Sequence, residues 1–291
     1  MTNPDLLRTD KGAGSKVTVG SPRTPPAASA PMLLAGCYRL EAPLGHGTAS
    51  VFRARDLKTN LRYAIKRLPR DTALAAGEHD RFVSEVTLLS QLCHPHIVTM
   101  VALQRDEAER SCLVMELLEG EDMLTHLAGG QRLALPRVLA VTRQVTSALH
   151  AAHLRGIAHR EFQLSSIFLA MQRGLCGTLV EVVKVVGFGG VQLRALPGPR
   201  CRPGSPGAVD YLPPEAVLGH GGELDERSDQ WAVAVAVYRM LSGQLPFRAE
   251  DEAALRHQIC TQPPAPLRAL CPELPPHVLE TLDRVLAKDK A

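Results

Sequence analysis

The spacing of apolar residues changes along this chain, and the change limits the folds open to it. Tyr38 to Leu44, Ser50 to Ala54 and Arg62 to Leu68 are short apolar or alternating runs separated by turn residues, a pattern that predicts three antiparallel strands. Glu78 to Leu92 instead carries Phe82, Val86, Leu89 and Leu92 in a 3–4 rhythm, which predicts a helix. Two more strand candidates follow, Ile97 to Leu103 and Cys112 to Leu117. Leu133 to Arg155 then places Leu135, Val138, Val141, Val145 and Leu149 on one stripe, the signature of a long helix forming the buried spine of a helical region. Ile167 to Ala170 and Val183 to Val186 predict short strands. Ala232 to Leu241, closed by Gly243 and followed by Pro246, predicts a central helix. Glu252 to Cys260 and Pro276 to Ala287 are two further helix candidates. At 291 residues the chain is long enough for a two-lobed body with a substantial core.

Composition removes several function classes. A net charge of +3 leaves no footprint for nucleic acid or an acidic membrane surface. The 7 cysteines contain no Cys-x-x-Cys pair, which suits reduced cytosolic thiols, and the 11 histidines show no metal-ligand spacing. No N-terminal signal segment stands out, and no apolar run approaches the roughly 20 residues that span a bilayer, so the expected location is the cytoplasm. Residues 1–35 are rich in Pro, Ala, Gly, Ser and Thr and predict a disordered tail.

Five stretches carry chemistry or mark it. Leu44-Gly45-His46-Gly47-Thr48-Ala49-Ser50-Val51 permits a tight turn whose backbone N–H groups approach phosphate oxygens, although a Gly-x-Gly turn alone is equally an ordinary hairpin. His159-Arg160-Glu161-Phe162-Gln163-Leu164-Ser165-Ser166-Ile167-Phe168-Leu169 resembles the His-Arg-Asp-Leu-Lys-Pro-Glu-Asn-Ile-Leu-Leu catalytic loop of eukaryotic-type, Hanks-type Ser/Thr protein kinases, found also in bacteria. Tyr63-Ala64-Ile65-Lys66 is similar to the Val-Ala-Ile-Lys of that family. Gly187-Phe188-Gly189 stands in place of Asp-Phe-Gly, and Tyr211-Leu212-Pro213-Pro214-Glu215 resembles the end of its activation segment.

The resemblance covers residues 36–291 and implies an α+β, bilobal protein kinase-like fold with a short C-terminus. Its parts are an N-lobe over 36–117, an antiparallel sheet plus one helix, and a mainly helical C-lobe over 118–291. It implies a nucleotide site built from Gly45, Gly47, Val51, Ala64, Lys66, Glu85, Met115, Glu116, Leu118 and Phe168. In that site Lys66 reaches the phosphates and pairs with Glu85, Met115 is the gatekeeper, and Glu116 and Leu118 belong to the hinge that meets adenine. Glu121, just past the hinge, faces ribose or water. His159 and Phe188, with Leu89 and Met100, match one of the family's internal stacks; Val51, Ala64 and Phe168 match the stack that adenine completes. Asp229 is expected to anchor the catalytic-loop backbone, and Glu215 to lack the arginine partner found in the family.

The chain departs from the family at four positions of one site. Glu161 replaces the base Asp, Gln163 the phosphate-facing Lys, Ser166 the metal-binding Asn and Gly187 the metal-binding Asp. The two groups that hold Mg²⁺ against the phosphates are thus a neutral hydroxyl and no side chain at all. No metal ligand set is expected. ATP is the implied ligand, with Mg²⁺ poorly provided for. Ala208 also replaces the Thr that supports a peptide substrate, and Arg160 and Ser205 are where loop phosphorylation would act. The reading is a pseudokinase, a nucleotide-binding or protein-binding regulator or scaffold in phosphorylation signalling. Its expected partner is a protein, an active kinase or that kinase's substrate, with neither nucleic acid nor membrane. A weakly active, metal-poor Ser/Thr kinase using Glu161 as base, and a pure scaffold with an empty cleft, are the rival readings.

Overall fold

A computed structural model describes residues 33–34, 36–44, 50–68, 84, 86–107, 110–174, 176–188, 207, 209–219 and 224–288. Its first part is an antiparallel six-stranded sheet of β1 (Leu33–Leu34), β2 (Tyr38–Pro43), β3 (Ser50–Asp56), β4 (Arg62–Arg67), β5 (Met100–Arg105) and β6 (Ser111–Glu116). The spatial order is β1-β2-β3-β4-β6-β5. Alternation gives the sheet two apolar faces. Leu34, Tyr38, Ala54, Ile65, Cys112 and Val114 form a cluster on one side, while Leu113, Met100 and Leu68 join the main core on the other.

Two sequence expectations need correction here. The tail does not run to residue 35, because Leu33 and Leu34 pair with Arg39 and Tyr38. Leu34 has an apolar place waiting beside Tyr38, and that burial draws the chain into the sheet. The strand expected from Ile97 starts instead at Met100. Ile97 and Val98 are taken by the second sheet, where Ile97 bridges Val185 and the Val98 N–H donates to the Val185 carbonyl at 3.0 Å.

The second sheet is β7 (Gly120–Asp122), β8 (Ile167–Arg173) and β9 (Leu179–Val185), in that order and antiparallel. Helices follow: α1 (Met123–His126), α2 (Leu135–His153), α3 (Pro214–Val217), α4 (Glu226–Ser242), α5 (Glu252–Thr261), α6 (Leu267–Leu270) and α7 (Pro276–Val285). The α2 stripe Val138, Val141, Val145 and Leu149 is buried, as its rhythm requires. Asp225 caps α4 at the N-terminus by accepting from the N–H groups of Arg227 and Ser228. Gly243 ends it in the left-handed conformation. The architecture is α+β. Of the helix expected over 78–92, Ser84 and 86–90 are described and helical; residues 78–83 and Glu85 lie outside the described residues.

Candidate active-site cleft

Strand register places the upper wall. Val51 lies opposite Lys66, Ala64 opposite Met115, and Lys66 opposite Leu113, so these side chains share the sheet face that looks toward the main core. The lower wall comes from the β8–β9 hairpin, which brings Phe168 opposite Asp122 and delivers the chain to Gly187. Between the walls runs the hinge, Glu116 to Gly120. The Glu116 side chain turns away from the slot. Its carboxylate accepts from the Lys184 ammonium at 2.8 Å and the Thr99 N–H at 2.7 Å. The Glu116 charge is thereby held by Lys184 and Thr99, and the Glu116 N–H donates to the Thr99 carbonyl at 3.0 Å.

Lys184 escaped the sequence reading. It is 5% exposed, donates also to the Ile97 carbonyl at 3.3 Å, and ties the hinge to the strand that enters Gly187. Burial pushes the Glu116 carboxyl up, but the Lys184 and Thr99 donors outweigh it and leave the pKa lowered. The available signal was one lysine inside the apolar run Val182 to Val186.

The loop below is hung from one carboxylate. Asp229 of α4, 1% exposed, accepts from the His159 and Arg160 N–H groups, both at 2.7 Å, and bonds the His153 ring at 2.8 Å. Arg160 sits at φ +66°, a left-handed conformation that a non-glycine side chain adopts at a cost, and its Nε donates to the Leu224 carbonyl. Ser205, its suggested phosphate partner, lies outside the described residues.

His159 packs on Phe188 at 4.6 Å and Phe162 at 5.4 Å between ring centroids, and its Nε2 bonds the Val186 carbonyl at 3.0 Å. With a backbone carbonyl as partner, Nε2 carries the proton and donates. Burial pushes the His159 pKa down, Asp229 and Glu161 pull it up, and Lys66 lowers it further.

The metal positions are local structure. Ser166 is buried and its hydroxyl accepts the Gln163 N–H at 3.3 Å, closing the short turn Leu164–Ser166. Gly187 has φ +98°, and a Cβ built on it meets the His159 ring at 3.6 Å and the Ser166 hydroxyl at 3.9 Å. These are ordinary contacts, but the positive φ would strain any other residue, and glycine itself supplies no ligand. Among the described residues no group of three His, Cys, Asp or Glu side chains forms a metal centre.

The register sets Val51, Ala64, Lys66 and Met115 along one face of the first sheet, while Gly187 lies beside His159 and Ser166. Gly45, Gly47 and Glu85 lie outside the described residues, as does Ala208. Glu121 pairs with the His126 ring at 2.8 Å, while its neighbour Asp122 caps α1 through the Thr125 N–H. Glu215 accepts from the Ser228 hydroxyl at 3.4 Å, so it has a partner other than the family's arginine.

A family profile described as protein kinase domain matches residues 38–290. Among curated proteins the chain is 32% identical over 293 residues to serine/threonine-protein kinase Pkn1 of Myxococcus xanthus, covering 98% of this chain and 40% of that protein. It is 29% identical to serine/threonine-protein kinase PknA of Mycobacterium tuberculosis, covering 89% of this chain and 58% of that protein. The chain thus spans between 40% and 58% of the length of these two relatives. Among solved structures it resembles a point-mutant form of the Mycobacterium tuberculosis PknI kinase domain, with a TM-score of 0.66 and 25% identity over 90% of this chain and 92% of that one. No helix among the described residues is long and apolar enough to cross a membrane.

Proposed function

Given that the chain belongs to the protein kinase family, we propose that it is a catalytically impaired member, a pseudokinase that binds nucleotide or protein as a regulator. The observation that carries this reading is Gly187 facing Ser166. One metal position has no side chain, and the other has only a neutral hydroxyl, which accepts the Gln163 N–H.

Members of this family use ATP and Mg²⁺. The residues present here do not fit a magnesium ion, which takes near-octahedral oxygen ligands and is usually held by one or two carboxylates besides phosphate and water. ATP fits better. Its adenine would lie between Val51 and Ala64 above and Phe168 below, against the hinge backbone, with the Lys66 ammonium toward the phosphates. Without a fixed divalent ion, charge developing on a transferred phosphoryl group would meet chiefly Lys66, and Gln163 withholds the family's second ammonium. The partner is then a protein of the same signalling chemistry, in the cytoplasm.

Glu161 supports the rival reading of a slow, metal-poor kinase, because it keeps a carboxylate at the position of the family's base. It is one methylene longer than the family's Asp, and a misplacement of about 1 Å costs on the order of a hundredfold in rate. The test is transfer of radiolabelled phosphate from ATP to a basic protein. The expected result is incorporation indistinguishable from that of Lys66→Ala. Turnover that disappears in both Lys66→Ala and Glu161→Gln would establish the slow kinase and end the pseudokinase reading.

A further inference from the structure

The underside of the first sheet carries a second feature that phosphate chemistry does not use. Leu33, Arg39, Arg55 and Arg62 are paired in sequence across β1 to β4, so their side chains form one row on a single face. Arg53, two residues before Arg55, shares that face. The regular β2–β3 pairing breaks between Leu40 and Ala42, and the residue at the break is Glu41. Its carboxylate meets the Nε atoms of Arg53, Arg55 and Arg62 at 3.3, 2.7 and 3.1 Å. Hydrogen bonding by Arg55 lowers its pKa most, burial opposes that, and the charges of Arg55, Arg62 and Arg53 add to the lowering.

One carboxylate cannot balance four guanidinium groups. Like charges directly opposite on a sheet are destabilising, and both the Arg39–Arg55 and the Arg55–Arg62 pairs are of that kind. Each guanidinium has five N–H donors, and the contacts to Glu41 engage Nε, with Arg55 also donating from Nη1 to Asn60. Arg39 and Arg62 are exposed, and the row ends in an exposed leucine, Leu33. Arginine beside apolar anchors is the composition of a protein interface.

We propose that this row is a docking surface for an extended, acidic protein segment with apolar residues among its carboxylates. Charge complementarity selects the acid, exposed Leu33 at the end of the row selects an apolar neighbour for it, and three strand spacings of about 4.8 Å give a span that a short strand covers. An anionic bilayer suits the surface less well: the row is one side chain wide, and Glu41 at its centre would repel a uniformly negative plane. The row shares its face with Val51, Ala64 and Lys66, so a docked segment would lie along the hinge-side mouth of the cleft. The inference goes beyond the pseudokinase reading and holds whether or not the cleft transfers phosphate.

The experiment is fluorescence anisotropy of the full chain with a labelled peptide of about twelve alternating glutamate and leucine residues. Arg39→Glu/Arg62→Glu is expected to weaken binding at least about tenfold, while Lys58→Glu, an exposed charge in the neighbouring turn, leaves it within about twofold. Glu41→Gln removes the built-in competitor and is expected to tighten binding several-fold. That arm carries the test if the double reversal fails to fold. No binding by the wild type, equal effects of Lys58→Glu and the row variants, or weakening by Glu41→Gln would overturn the proposal. So would single-stranded DNA or phosphatidylserine vesicles binding as tightly with the same dependence on Arg39 and Arg62.

Discussion

Asp229→Ala is expected to lower unfolding free energy by about 3–5 kcal/mol, the cost of removing one partner from a buried charged network. The carboxylate is 1% exposed and accepts three hydrogen bonds, from two backbone N–H groups and one imidazole. Truncation leaves the His159 and Arg160 N–H groups without their acceptor, at about 1–3 kcal/mol each if no water reaches them. It also releases Arg160 from its left-handed conformation, so the loop carrying Glu161 and Ser166 loses its position as well as its support. Domains of this size are stable by only about 5–15 kcal/mol, which makes the loss large. Urea unfolding followed by tryptophan fluorescence measures it directly, since Trp231 lies on the same helix, buried and stacked on Phe247. A change below about 1 kcal/mol would mean that the loop is held by something other than Asp229.

The second large effect is expected at Gly120, where hinge becomes β7. Its φ is +140°, and a Cβ there would lie 2.0 Å from the Leu169 carbonyl oxygen and 3.3 Å from the Phe168 ring. The obstructing oxygen is backbone in a paired strand, so it cannot swing aside as a side chain would. Gly120→Ala therefore combines backbone strain with a steric clash and is expected to cost roughly 3 kcal/mol or more. It should also displace the hinge from Phe168. Gly129→Ala is the control. Gly129 also has a positive φ, +77°, but a Cβ there meets nothing within 4 Å, so strain alone applies, about 1 kcal/mol. Thermal melts of the two variants compare them, and equal shifts would refute the clash.

How much of this was legible beforehand follows from the range of each interaction. The α2 stripe and the Gly243 stop of α4 are local patterns, and the structure keeps both within a few residues. The place of Asp229 beneath the catalytic loop was readable because resemblance supplied a contact 70 residues distant in sequence. Where no motif bridged the distance, the sequence was silent. Lys184 reads as a stray charge in an apolar strand, and only folding reveals Glu116, 68 residues away, as its partner. Glu41 and its arginines look like scattered surface charges until the register break in β2 aims them at one another. Ile97 was misplaced because a residue completing one sheet and a residue starting another have the same apolar character; partner availability decided it.

The central claim is that Gly187 and Ser166 leave this kinase-family cleft without a metal site. The most direct measurement is thermal denaturation with saturating ATP, once in EDTA and once in excess Mg²⁺. Stabilisation by ATP is expected to be the same in both. A shift that appears only with Mg²⁺, or is at least doubled by it, would contradict the account and place a working metal site in the cleft.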